Sequence, residues 1–257
     1  MPLLSASPKA TVLAPPLPVN NSIFANSGLV FRRGQFSIVA AAPGVGKTLL
    51  ATNLAIRTPV QSIYLSADSD EWTVKQRACS ILTGTELTQV ERQLNDEAWE
   101  KFYAEKLRST DHIDWCFQSD IEMDFIVQRI LAHIELRGEA PQLVVVDNIG
   151  NTVVDQDNES SELRAACREL QRIARSMNCH VMALAHVKGA KENGTIQIEL
   201  GDLLYNIGKI PELVLGVHRD QAKTMQYVNV AKNRGGRAGM VFQVPISYST
   251  ATVGGFL

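Results

Sequence analysis

The octapeptide Ala41-Ala42-Pro43-Gly44-Val45-Gly46-Lys47-Thr48 carries the residue types that hold a polyphosphate. It follows the apolar run Phe36 to Ala40 and leads into the helix-favouring stretch Leu49-Leu50-Ala51-Thr52-Asn53-Leu54-Ala55. Glycines, a lysine and a threonine therefore fall between a strand and a helix N-terminus. In that setting the loop from Pro43 to Leu49 offers backbone N–H groups to phosphate oxygens, Lys47 reaches the β and γ phosphates, and the Thr48 hydroxyl coordinates Mg²⁺. Motif and context agree on a nucleotide site taking ATP and Mg²⁺, against the blander reading of a connecting turn. Ala41 stands where the usual pattern opens with glycine; its Cβ disfavours positive φ, so Gly44 and Gly46 are expected to carry the permissive backbone. A second acidic strand end supports the site. Leu143-Val-Val-Val146 runs into Asp147, at the strand edge where open α/β sheets bind ligands, and such a carboxylate can hold Mg²⁺ through a water. Otherwise Asp147 is a turn aspartate before Asn148 and Gly150.

The elements that must position these groups are legible as alternation. Short apolar runs at Phe36–Ala40, Ile63–Ala67, Ile113–Phe117, Leu143–Val146 and Val181–Ala185 are separated by helical stretches, the pattern of a mostly parallel sheet with helices on its faces. One helix has Leu163, Ala166, Cys167, Leu170, Ile173, Ala174 and Met177 on a single stripe, preceded by the capping-prone Asp157-Asn-Glu-Ser-Ser161. Another runs from Ile121 to Arg137 with Gly138 as its stop. After Leu213 only strands follow, at 213–219, 225–231 and 239–246, which should pair antiparallel at one edge. Five of the ten prolines lie in the first 18 residues, so residues 1–26 read as an extended arm and 27–257 as one α/β domain. Leu13, Leu17, Ile23 and Phe24 are the arm residues expected to pack against a neighbouring subunit.

From about Gly28 to Thr252 the chain resembles the RecA-like core of ring-forming replicative helicases of the DnaB type. The resemblance rests on Ile63-Tyr-Leu-Ser-Ala-Asp68, on Glu162 to Leu170 followed by Val181-Met-Ala-Leu-Ala-His186, and above all on Ile210 to Asp220 followed by Val230-Ala-Lys-Asn-Arg-Gly-Gly236. It implies a RecA-like P-loop ATPase. Asp68 would be the acid that activates or orients water, with Asp70 and Glu71 as alternatives, and His186 the γ-phosphate sensor. Lys232 and Arg234 would be a finger completing the site of an adjacent subunit. Their alternate spacing lets both leave one face of a strand and converge on an anion, although a charged edge strand guarded against aggregation has the same appearance. The family's acid is usually Glu and its sensor commonly Gln, and only the proline-rich arm occupies the place of an N-terminal helical domain. The resemblance further implies a homo-oligomer, a ring of six, with two loops facing single-stranded DNA. The first, Asn151 to Ser160, has three acids and no base; the second, Lys188 to Thr195, offers Lys188 and Lys191.

Composition sets the outer limits. Across 257 residues, Lys plus Arg total 25 against 27 Asp plus Glu, so no global basic field advertises a nucleic-acid or membrane partner. Residues 188–237 carry a modest excess, eight bases to five acids. Four cysteines without a CxxC pair suggest neither a zinc site nor a disulfide framework, and no apolar run approaches a membrane span; a cytoplasmic protein is expected. The reading is an ATP-hydrolysing ring motor that translocates on single-stranded DNA and unwinds duplex, with a replication or loader protein as a possible partner. The rivals are a plasmid RepA-like helicase or recombination mediator, an ATP-dependent loader or assembly module that unwinds nothing, and a nucleotide kinase, which would need an Arg-rich lid.

Overall fold

The computed structural model describes residues 15–19, 24, 28–153, 155–188, 193–220, 222 and 225–254. Strand β1 (Phe36–Ala41) leads into helix α1 (Lys47–Arg57), β2 (Ser62–Ser66), α2 (Glu71–Thr83), α3 (Leu87–Gln93), α4 (Glu97–Leu107) and β3 (Ile113–Phe117). Helix α5 (Met123–Arg137), β4 (Leu143–Asp147), α6 (Glu159–Met177) and β5 (His180–His186) follow. The chain closes with β6 (Leu213–Arg219), β7 (Met225–Asn233), β8 (Val241–Ser247) and β9 (Thr252–Val253). Among the described residues these strands form one sheet in the order β3-β2-β4-β5-β1-β6-β7-β8-β9. The first six in that order pair parallel and the last three antiparallel. This is the RecA-like α/β fold expected from the sequence. Every residue of β1, β2 and β4 is buried, which is why these strands read as unbroken apolar runs rather than alternating ones.

Parallel pairing makes the strands end at one edge, and the register decides which ends meet. Ala41 is paired with His186 and Ser66 with Asp147. The residues after β1, β2, β4 and β5 are thus brought side by side. Helix α6 buries Leu163, Ala166, Cys167, Leu170, Ile173 and Ala174 and stops at Asn178 in the left-handed region (φ 50°); α5 stops at Gly138 (φ 76°). The sequence reading named no helix across 71–107. Of the three there, α3 buries only Val90 and α4 only Tyr103, too thin a stripe to register as periodicity.

Two arm residues belong to this chain's own core, contrary to the expectation that they serve a neighbour. Leu17 donates its N–H to Phe31 O at 2.8 Å, and Phe24, 1% exposed, packs edge-on against Phe31 and Phe242. Apolar side chains this close to an uncovered sheet margin gain more from local burial than from waiting for a partner. Leu13 and Ile23 lie outside the described residues.

His180, at the start of β5, is fully buried between Arg32 O (2.9 Å from Nδ1) and Ser37 Oγ (2.8 Å from Nε2). Burial pushes its pKa down to about 4 from an ordinary 6.5, so the folded protein holds the ring neutral where the unfolded chain would protonate it. The stability this confers is complete above pH 6.5 and is lost as pH falls towards 4, amounting to about 3 kcal/mol. Urea midpoints at pH 7.5 and 4.5 should therefore differ more in the native protein than in His180→Gln; equal losses would refute the assignment.

Candidate functional site

The phosphate loop takes its shape from two glycines. Gly44 and Gly46 have φ of 69° and 101°, and Gly46 caps α1, whose first turn contains no acid. The exposed N–H groups of that turn are left for an anion. Ala41 is the last residue of β1, wholly buried and hydrogen-bonded between β5 and β6. Its backbone is extended strand, so the methyl group costs no strain there.

Around the loop, the strand ends deliver a compact charged cluster. Lys47 is 7% exposed, and its Nζ lies 3.2 Å from His186 Nε2. Burial lowers the Lys47 pKa, opposed by the carboxylates of Asp147 and Asp68. An ammonium can only donate, so His186 accepts at Nε2 and carries its proton on Nδ1, an atom that is buried and makes no hydrogen bond. Burial, and then the Lys47 charge, lower the His186 pKa. Asp147, 1% exposed, accepts from Thr48 Oγ1 at 3.3 Å and from Tyr64 OH at 3.1 Å. Its pKa is raised by burial, while Thr48, Lys47 and Tyr64 pull it back down.

Thr48 and Asp147 offer Mg²⁺ the hard oxygen donors it prefers. Among the described residues no three His, Cys, Asp or Glu side chains gather to hold a metal, so the remaining ligands would come from phosphate and water. Asp68 lies two residues beyond the end of β2. It accepts from Asn148 Nδ2 at 2.7 Å, and Asn148 is itself held by the Gly150 N–H at 2.8 Å. Of the alternative acids, Asp70 caps α2 by accepting from Thr73 N at 2.8 Å, and Glu71 sits exposed in the first turn of that helix. Only Asp68 faces the cluster.

A cavity of about 300 Å³ opens over the loop, lined by Gly44, Gly46, Lys47 and Thr48 on one side and by Arg77 and Tyr248 on another. Arg77, Tyr248 and Asn148 are members that the sequence reading missed. Asn148 alone left a trace, as a polar residue directly after a strand-end acid; Arg77 and Tyr248 sit in no motif. A larger cavity of about 910 Å³, between α2 and α5 beside β3, contains no phosphate-loop residue.

Lys232 and Arg234 do converge, but not on this site. Both donate to Lys209 O, at 2.7 and 3.2 Å, and Arg234 lies 3.8 Å from Glu212. Burial and the Arg234 charge push the Lys232 pKa down to about 8. Lys232 pairs with Val214, which pairs with Ile38 near the start of β1, whereas the phosphate loop follows the end of β1. The pair therefore lies towards the opposite end of the sheet from its own chain's loop. Lys188 is exposed after β5; Lys191 lies outside the described residues. In the first loop, Asp155 accepts from Asn158 Nδ2 and Asp157 N, so part of its acidity is spent folding the entrance to α6.

Residues 8–192 match the AAA domain family. The chain is 32% identical to the Gene 65 protein of Mycobacterium phage L5 over 229 residues, 87% of this chain and 85% of that one. It is 24% identical to a probable plasmid replicative DNA helicase of Chlamydia muridarum over 92% of this chain, and spans about half (53%) of that relative's length. Its fold resembles that of a DnaB-like replicative helicase (TM-score 0.76, 16% identity, 87% of this chain and 58% of that chain).

Proposed function

The chain belongs to the AAA domain family and is an ATP hydrolase related to replicative helicases, and from that premise we propose that it is a ring-forming motor that moves along single-stranded DNA in the cytoplasm. The observation that carries the reading is the meeting of Lys47, Asp68, Asp147 and His186 at adjacent strand ends around a phosphate loop. Lys47 and the loop amides hold the β and γ phosphates, and Thr48 with Asp147 would hold Mg²⁺, which would supply positive charge against the phosphates. Asp68, oriented by Asn148, places the attacking water. Lys47 cannot serve His186 and phosphate equally, so its departure towards ATP frees the His186 Nε2; with the proton then carried on Nε2 instead of Nδ1, the ring donates to a γ-phosphate oxygen and so reads whether that phosphate is present.

Lys232 and Arg234 act on the neighbour's nucleotide. Their distance from their own loop supports this role, and a ring of six would close the arrangement. Lys188 and Lys191 supply charge for binding the DNA backbone. The alternative, a loader or assembly ATPase that unwinds nothing, draws support from the first loop, which carries three acids and no base and whose Asp155 is folded back on Asp157 N and Asn158 Nδ2. Light scattering decides the assembly: with Mg²⁺ and a non-hydrolysable ATP analogue the expected species contains six chains and binds single-stranded DNA, and Lys188→Ala weakens that binding. A monomer under every condition would sink the ring.

A further inference from the structure

A loop that turns N–H groups inward must turn carbonyls outward, and a buried outward carbonyl needs a donor. The antiparallel end of the sheet supplies three. Gln226, on β7, donates from Nε2 to Val45 O at 2.6 Å. The Tyr248 hydroxyl donates to the same oxygen at 3.3 Å, and Arg219 Nη1 donates to Gly44 O at 2.9 Å. Gln226 differs from the other two in being wholly buried, with an Oε1 that makes no hydrogen bond. An orphaned buried acceptor is destabilising, so packing alone would favour an apolar side chain there. The amide also lies close beneath the start of α1: a Cβ built on Gly46 would come 2.5 Å from Gln226 Nε2. Gly46 thus serves both a left-handed backbone and this close approach.

We propose that Gln226 is a positioning residue for the phosphate loop, acting on the triphosphate through the Val45–Gly46 peptide. In a trans peptide the C=O and the following N–H point in opposite directions. Pinning Val45 O outward therefore aims Gly46 N–H at the phosphates, at the tip of the nest that opens α1. The loop is then set before ATP arrives, and nucleotide affinity is spared the cost of ordering it. The assignment rests on the phosphate-loop reading given above.

The test compares Gln226→Met, Gln226→Glu and Lys47→Ala in the full chain, by titration with a fluorescent ATP analogue and Mg²⁺ and by steady-state hydrolysis. Gln226→Met keeps the shape and removes the donor; Kd and KM for ATP should rise about fivefold, with kcat changed less than about twofold and the melting temperature of the nucleotide-free protein little changed, since Val45 O keeps the Tyr248 hydroxyl and the orphaned Oε1 is gone. A residue that merely supports the fold would move the melting temperature without this split between KM and kcat. Gln226→Glu sets a carboxylate against a carbonyl at pH 8 and should bind ATP more weakly still. It should regain affinity, relative to the unaltered protein, towards pH 6 as the carboxyl protonates and becomes a donor. That pH series carries the test if Gln226→Met does not fold. Unchanged affinity in Gln226→Met, or no regain in Gln226→Glu, with Lys47→Ala still losing binding, would overturn the role of Gln226 alone. Unchanged affinity in Lys47→Ala would overturn the phosphate-loop reading beneath it.

Discussion

Arg234→Ala is expected to lower kcat for ATP hydrolysis by about three orders of magnitude while leaving nucleotide affinity nearly unchanged, the signature of a guanidinium that meets only the charge developing on the transferred phosphoryl group. In its own chain Arg234 rests on Lys209 O and near Glu212, with half of its side chain exposed. It is therefore held in place but free to engage a neighbour. The decisive form is complementation. Lys47→Ala subunits retain the finger and Arg234→Ala subunits retain the loop, so mixing the two inactive proteins should restore about a quarter of native activity through randomly paired interfaces. Absence of recovery, in oligomers shown to mix, would remove the finger from the mechanism.

Lys47→Met should reduce kcat/KM for ATP by about two to three orders of magnitude, as the loss of a preorganised cation in a dry site does. Methionine retains most of the side chain's volume but leaves Asp147 and Asp68 without the buried ammonium that faces them. Lys47 is one of the influences holding the Asp147 carboxyl down against its burial, so its removal raises the Asp147 pKa further. Activity remaining in Lys47→Met should consequently fall off at a higher pH than in the native protein, as the carboxylate protonates. A pH–rate profile for the two proteins checks this, and superimposable acid limbs would contradict it.

Much of this architecture was legible because each structural signal coincided with a chemical one. The strands ending in Asp147 and His186 are buried on both faces, so they announce themselves as apolar runs with a polar residue at the end. The phosphate loop is contiguous, and its motif needs no tertiary information. What could not be read was register. The pairings of Ala41 with His186 and of Ser66 with Asp147 decide that Lys47 meets His186, and nothing in either segment states them.

Asn148, Arg77, Tyr248 and Gln226 act singly from four separate parts of the chain, without spacing to betray them. Gln226 in particular looks like any polar residue in an alternating strand. Helices α3 and α4 escaped notice because one buried residue each does not make a period. Ala41 shows a departure from a motif that could be read correctly: its Cβ shifts the turning to the two glycines, and in the structure Ala41 is strand while the loop turns at Gly44 and Gly46.

Hydrolysis that serves movement on single-stranded DNA should respond to that DNA, and steady-state ATP hydrolysis measured with and without it, at low and moderate salt, shows whether it does. Several-fold stimulation is expected, weakening as salt rises and absent from Lys47→Ala and Arg234→Ala. Hydrolysis indifferent to DNA at both salt concentrations would contradict such movement and identify the chain as an ATPase that acts on a protein partner instead.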